Sequence, residues 1–147
     1  MLKAIYTPIE VFVAIPNPQQ SIRPNSLEAR QTLSKALGRA QGRWLLSNKT
    51  MAALLHVAPN TYGLWINKEE VPAGGIPYRP ETEAVIALLA IHRSLSAMFS
   101  NPQDQLLWLT TTHPSLQSKS PLQFAMSSLA NLFQLRSYLD FVRGRGA

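Results

Sequence analysis

An all-α fold is predicted by three features of this sequence. Apolar residues recur at helical spacing in almost every segment after Asn25. Side chains that cap helices stand directly before prolines, at Asn101-Pro102 and Ser120-Pro121. Strand-like alternation is confined to one stretch near the start, where Ile9, Val11, Val13 and Ile15 share a face. The chain has 147 residues, of which 46% are hydrophobic and 15% charged, so it suits one compact domain or two very small ones and lacks the polarity of a disordered chain.

The opening segment to Asn25 is rich in proline and reads as a short strand or an arm. A strand alone is unstable in water, so it must pair with another copy, dock on the body or stay disordered. Asn25 or Ser26 then caps a first helix, whose stripe is Leu33, Ala36, Leu37, Ala40 and Trp44. Lys35, Arg39 and Arg43 step along the edge of that stripe. Gly38 and Gly42 weaken the helix, and a break before Trp44 is expected.

From Met51 to Trp65 the sequence reads MAALLHVAPNTYGLW, the pattern of a helix-turn-helix. Ala52 is small enough for two helices to cross. Met51, Leu55, Val57, Tyr62 and Trp65 anchor them, and Pro59-Asn60 opens the second helix. The turn position commonly filled by glycine is His56.

Glu69 to Pro80 crowds Pro72, Gly74, Gly75, Pro77 and Pro80 into a linker or long turn. Glu81 and Glu83 favour a helix start, and that helix should continue to about Phe99. Its Ala84–Ile91 section is apolar all round and must be buried centrally or at a subunit interface. A helix from Pro102 should carry Leu106, Leu107, Trp108 and Leu109, and one from Pro121 should carry Leu122, Phe124, Ala125 and Met126. The last, from about Ser128, presents Leu132, Leu135, Leu139 and Val142, and ends in Arg143-Gly144-Arg145-Gly146-Ala147. The division expected is an arm (1–25), a helix-turn-helix domain (26–68), a linker (69–80) and a small helical domain (81–147).

Charge is distributed unevenly. Met1 to Lys68 holds eight basic residues and two acids, so this half carries the whole net charge of +6, while the remaining basic and acidic residues cancel. Between Ala29 and Lys68 there are six basic residues and no acid, as expected of a surface that meets phosphates, although a solvated basic face is the plainer alternative. On the second helix of the motif, Asn60, Thr61, Gly63, Leu64, Asn67 and Lys68 should point outward. Asn60 or Asn67 can bind adenine edges in a major groove, and Thr61 a base or a phosphate. With Arg39, Arg43 and Lys49 they form the candidate surface for double-stranded DNA. A helical hairpin used only for packing is the alternative, and the basic flanks favour DNA.

Other chemistries find little support. The chain has no cysteine, which excludes disulfides and thiolate metal sites and points to a reducing cytoplasm. His56, His92 and His113 have no metal-ligand spacing, no phosphate-binding glycine loop occurs, and no serine sits in a nucleophile motif. No enzyme, metal or cofactor is expected. The longest apolar run, Ala84–Ile91, is far shorter than the roughly 18–20 residues of a membrane span. Glu10 and four prolines interrupt any export signal.

The C-terminal run adds a resemblance. Trp108-Leu109, His113-Pro114-Ser115-Leu116, Ser120-Pro121-Leu122 and Tyr138-Leu139-Asp140-Phe141-Val142-Arg143-Gly144-Arg145 occur in an order and spacing similar to the toxin-binding domain of the Xre/MbcA/ParS antitoxin family. The motif before it resembles the Xre-like domain of that family, so the likeness covers about Leu27 to Ala147. Gln117-Ser118 and Asn131 stand where the family often shows glycines.

The resemblance implies an antitoxin that silences a RES-domain, NAD-consuming toxin through its C-terminal domain and represses its own operon through the N-terminal one. It implies that Tyr138, Arg143, Gly144, Arg145 and Ala147 dock against the toxin. Two guanidinium groups on a tail softened by glycines suit carboxylates or phosphate-binding groups in a cleft. Readers of two half-sites are commonly dimers. The candidate interface lies on the Ala84–Met98 segment, marked by Ile86, Leu89 and Arg93, and gives a homodimer within a larger toxin–antitoxin complex. The rivals are a stand-alone helix-turn-helix regulator without a toxin, and an interaction adaptor that has lost DNA binding.

Overall fold

The computed structural model describes residues 26–74 and 78–146. The expected strand or arm, Gly75 and Pro77 of the turn segment, and Ala147 lie outside the described residues. Within them the chain forms α1 (Leu27–Trp44), α2 (Asn48–Leu55), α3 (Pro59–Asn67), α4 (Pro80–Met98), α5 (Pro102–Thr110), α6 (Pro121–Ser127) and α7 (Leu129–Gly146), with a 3₁₀ turn at Pro114–Leu116. The only strand-like pairing among the described residues is a lone antiparallel bridge between His113 and Lys119. The fold is all-α.

Helix starts follow local chemistry. Ser26 accepts from the Ala29 amide, Ser47 from Thr50 and Asn101 from Gln103, each satisfying a donor that the helix itself leaves orphaned. Ser120 and Gln123 form a reciprocal capping box at the start of α6. Pro59, Pro80, Pro102 and Pro121 each occupy a first helical position, where no amide donor is needed.

Helix ends are less orthodox. α1, α2 and α3 are followed by Leu45 (φ 55°), His56 (φ 58°) and Glu69 (φ 54°), left-handed residues after three successive helices and none a glycine. After α1 the Leu46 amide returns to the Gln41 carbonyl, after α2 the Val57 amide to Ala52, and after α3 the Glu70 amide to Trp65, so a carbonyl at each end is satisfied. Leu45 stands 81% exposed, without burial to offset its strained backbone. The break expected before Trp44 does not occur. α1 runs through Trp44 because that indole is fully buried and held in place, and the helix stops one residue later.

One apolar cluster draws on the whole described length, from Leu37, Trp44, Met51 and Tyr62 through Val85, Leu88 and Leu95 to Leu132, Leu135 and Leu139. α4 crosses its middle, packed against α1, α2, α5 and α7. The segment between α3 and α4 joins this cluster: Val71 and Ala73 are buried, the Val71 amide donates to Ser34 Oγ (3.3 Å), and Thr82 Oγ1 donates to the Pro72 carbonyl (2.8 Å).

α5 corrects the expected pattern. Leu109 is buried as expected, but Leu107 is 64% exposed, and Gln105 is turned fully inward beside Leu109. Its Oε1 accepts from Trp44 Nε1–H (3.0 Å), and its Nε2 donates to the Phe99 carbonyl (2.8 Å). A buried indole donor needs a partner, and the amide supplies it while leaving its own polar atoms paired.

Candidate nucleic-acid and partner surfaces

α2 and α3 are joined by His56-Val57-Ala58 and pack on each other, α3 also on α1 and α2 on α4 and α6, with Met51, Ala52, Leu55, Tyr62 and Trp65 all buried. Gln41 fixes their relation. Its Oε1 accepts from the Tyr62 hydroxyl (2.7 Å), while its Nε2 donates to Asn48 Oδ1 (2.7 Å) and the Leu46 carbonyl (3.1 Å), so one amide joins α1 to both helices of the motif. Burial pushes the Tyr62 phenol well above its ordinary range, so it stays a neutral donor.

The turn is anchored to the C-terminal part of the chain. His56 lies 2.9 Å from the Ala125 carbonyl through Nε2, and since a carbonyl only accepts, that ring nitrogen carries the hydrogen. Beside it opens a cleft of about 340 Å³ lined by residues including Val57, Thr61, Glu81 and Leu129.

On this scaffold Asn60, Leu64, Asn67 and Lys68 of the α3 stretch are exposed, as is Lys49 on the first turn of α2. Thr61 and Gly63 are half-buried, and Thr61 forms part of the cleft wall. A side chain added at Gly63 would meet nothing within 4 Å, so its surroundings are open. Leu64 is 51% exposed on the same helix. Arg39 and Arg43 are exposed too, but they border α4. His92 on α4 is held below its ordinary range first by burial and then by the charges of Arg43 and Arg39, and its ring meets the edge of Trp44 at 5.1 Å. Lys49 and the outward α3 residues are thus each exposed, while the charges of Arg39 and Arg43 reach His92 on α4.

The C-terminal candidates sit on α7, which packs against α4 and α6. Tyr138 is half-buried against the core, and Phe141 is 59% exposed. Arg143 donates to Ser94 Oγ of α4 at 3.2 Å, and Ser94 itself is buried. Gly144 is exposed. The glycine-softened tail expected here is helix through Gly146, so Arg143, Gly144 and Arg145 belong to the last turns of α7. The buried Leu139 and the Arg143–Ser94 bond hold those turns on α4, which lets the helix tolerate Gly144. The loop before α6 carries Gln117 and Ser118 in left-handed conformations (φ 58° and 57°), where glycine would be free of strain. Asn131 lies inside α7, its amide donating to Ser128 Oγ (3.0 Å).

The third candidate surface is the outward face of α4. Ile86 and Leu89 are half-buried there and Arg93 is exposed. A groove of about 320 Å³ runs beside it, lined by Tyr78, Glu83, Ile86, Phe133 and Arg136.

Gln41, Gln105 and Ser94 position these surfaces without any mark in the sequence, because a polar residue on a helix carries no sign of being turned inward. Among the described residues no group of three or more His, Cys, Asp or Glu side chains could hold a metal ion, and no single helix is long and apolar enough to cross a membrane.

No protein-family model matches the sequence, and no curated protein does. Among solved structures, a chain of the M. tuberculosis MbcT–MbcA toxin–antitoxin complex is similar, with a TM-score of 0.53 and 14% sequence identity over 74% of this chain and 90% of that one. At that identity the likeness is one of fold: these helices are arranged as in a chain of a toxin–antitoxin complex.

Proposed function

We propose that this protein is a non-enzymatic antitoxin that binds and neutralises a RES-type, NAD-consuming toxin through α7, and that it represses its own operon through α2 and α3. The fold shared with a chain of a toxin–antitoxin complex carries the reading. The order of motifs from Trp108 to Arg145 supports the choice of toxin class. Arg143 and Arg145 on the final turns of α7 would offer guanidinium groups to carboxylates or phosphate-binding groups of the toxin cleft, with Tyr138, Gly144 and Ala147 completing the interface.

The DNA half of the proposal is supported by the exposed Lys49, Asn60, Asn67 and Lys68 on two short helices joined by a tight turn, in a stretch with six basic residues and no acid. Thr61, Gly63 and Leu64 would complete the α3 surface that meets the groove, and Arg39 and Arg43 would reach phosphates from α1. Two copies on two half-sites would use Ile86, Leu89 and Arg93 as their interface. The same exposed α2–α3 face favours a second reading, a stand-alone transcriptional regulator.

Deleting Arg143–Ala147 separates the two. Expressed with the toxic product of the neighbouring gene, the truncated chain should fail to restore growth while keeping its far-UV circular dichroism and its binding to promoter DNA. Full protection by the truncated chain overturns the α7 assignment. For the DNA half, neutralising Arg39 and Arg43 should flatten the salt dependence of promoter binding, by about 0.9 in log–log slope for each phosphate that is no longer neutralised. An unchanged slope removes them from the DNA surface.

A further inference from the structure

We infer that the outward face of α4 pairs antiparallel with the same face of a second copy of this chain, with Glu83 of each copy bonded to Arg93 of the other. This specifies the two-copy arrangement residue by residue and rests on that part of the proposed function.

The face is self-complementary in shape. At 100° per residue, Glu83, Ile86, Leu89, Ala90 and Arg93 fall within an arc of about 120°. The opposite arc, with Ala84, Leu88, Ile91 and Leu95, is buried in the protein's own core. Ile86, Leu89 and Ala90 are only half-buried, leaving an apolar centre with a small residue, Ala90, that lets another helix approach closely.

It is self-complementary in charge as well. Glu83 stands at the N-terminal end of the face and Arg93 at the other end, both exposed. The ion pairs among the described residues are Arg79–Glu81 (3.0 Å) and Arg136–Asp140 (3.9 Å), and neither Glu83 nor Arg93 takes part in one. Arg39 and Arg43, near His92, deepen the positive end. A face with this lengthwise polarity repels a parallel copy and attracts an antiparallel one.

A two-fold axis beside Leu88 sets Glu83 opposite the second copy's Arg93 and Ile86 opposite its Ala90. Ten residues separate Glu83 from Arg93, so the two symmetric ion pairs bracket the apolar centre about 15 Å apart. The groove between Tyr78, Ile86 and Phe133 is lined by Glu83 and by Arg136, whose charge is partnered by Asp140 (3.9 Å), and it accepts the aliphatic stem of the incoming arginine beside Glu83. The apolar centre supplies affinity, and the charges select orientation and register.

The test is analytical ultracentrifugation of the full chain alone, without DNA or toxin. The native chain should be a dimer at micromolar concentration. Glu83→Arg and Arg93→Glu should each weaken it about tenfold, as expected for two pairs replaced by like charges. The double variant should return to native affinity, because the pairs are rebuilt with their signs exchanged. Leu89→Asp should be a monomer with native circular dichroism. A native monomer, a dimer untouched by Leu89→Asp, or a double variant no tighter than the singles overturns the pairing. Growth protection from the toxin is measured separately, so failure of the pairing and failure of the antitoxin reading are distinguishable.

Discussion

Replacing Gln105 by methionine keeps the length of the side chain and removes its hydrogen bonds. In the native chain Gln105 is fully buried and holds Trp44 Nε1–H and the Phe99 carbonyl, so Gln105→Met leaves one donor and one acceptor unpaired in the core. A buried group left without a partner costs roughly 1–3 kcal/mol, partly offset here because the amide itself no longer has to be desolvated. The expected loss is about 2–4 kcal/mol, or about 5–15 °C in Tm for a chain of this size. Urea denaturation followed by far-UV circular dichroism measures it. Trp44→Phe completes a double-mutant cycle: with both polar partners gone, the double variant should be more stable than the sum of the singles predicts by at least ~1 kcal/mol. A Gln105→Met chain within ~0.5 kcal/mol of native, or a strictly additive double variant, would refute the buried tie between α1 and α5.

Two further perturbations test residues around the surfaces. His56→Gly and His56→Ala both remove the hydrogen bond to the Ala125 carbonyl, but only glycine relieves the left-handed backbone, so the glycine variant should be the more stable by about 1 kcal/mol in denaturant titrations. Equal stabilities would mean the backbone there is unstrained. Stability should also fall as pH drops below the ordinary histidine value of 6.5, because the unfolded chain takes up a proton that His92, depressed by burial and by Arg43 and Arg39, resists in the fold. The sign is fixed by the depressed value: above 6.5 both states are neutral and nothing is lost, and on acidification the unfolded state gains. His92→Gln should lose less stability over the same range, and an identical loss would show that other groups carry the effect.

Much of the fold was legible because its determinants are local. Ser26, Asn101 and Ser120 announce helix starts through side chains that reach their own next turn, and the spacing of Met51, Leu55, Tyr62 and Trp65 foretells their burial. The helix ends were harder, since Leu45 and Glu69 adopt left-handed conformations for which glycine is the usual mark. Gln105 was invisible for another reason: its partner Trp44 lies 61 residues away, and only the assembled core brings an indole donor to it. The edge formed by Arg39 and Arg43 could be read from spacing, but its neighbour could not, because α4 reaches it from the other side of the turn segment. Likewise Gly144 reads as the start of a loose tail until Ser94 is found beneath Arg143.

The most direct test of the antitoxin reading is growth of cells expressing the neighbouring gene, with and without this protein, followed by affinity purification through a tag on its N-terminus. The expected result is arrested growth that this protein restores, with the toxin recovered in a stable complex. A harmless neighbour and no complex would contradict the reading and leave the DNA surface of α2 and α3 as the feature to explain.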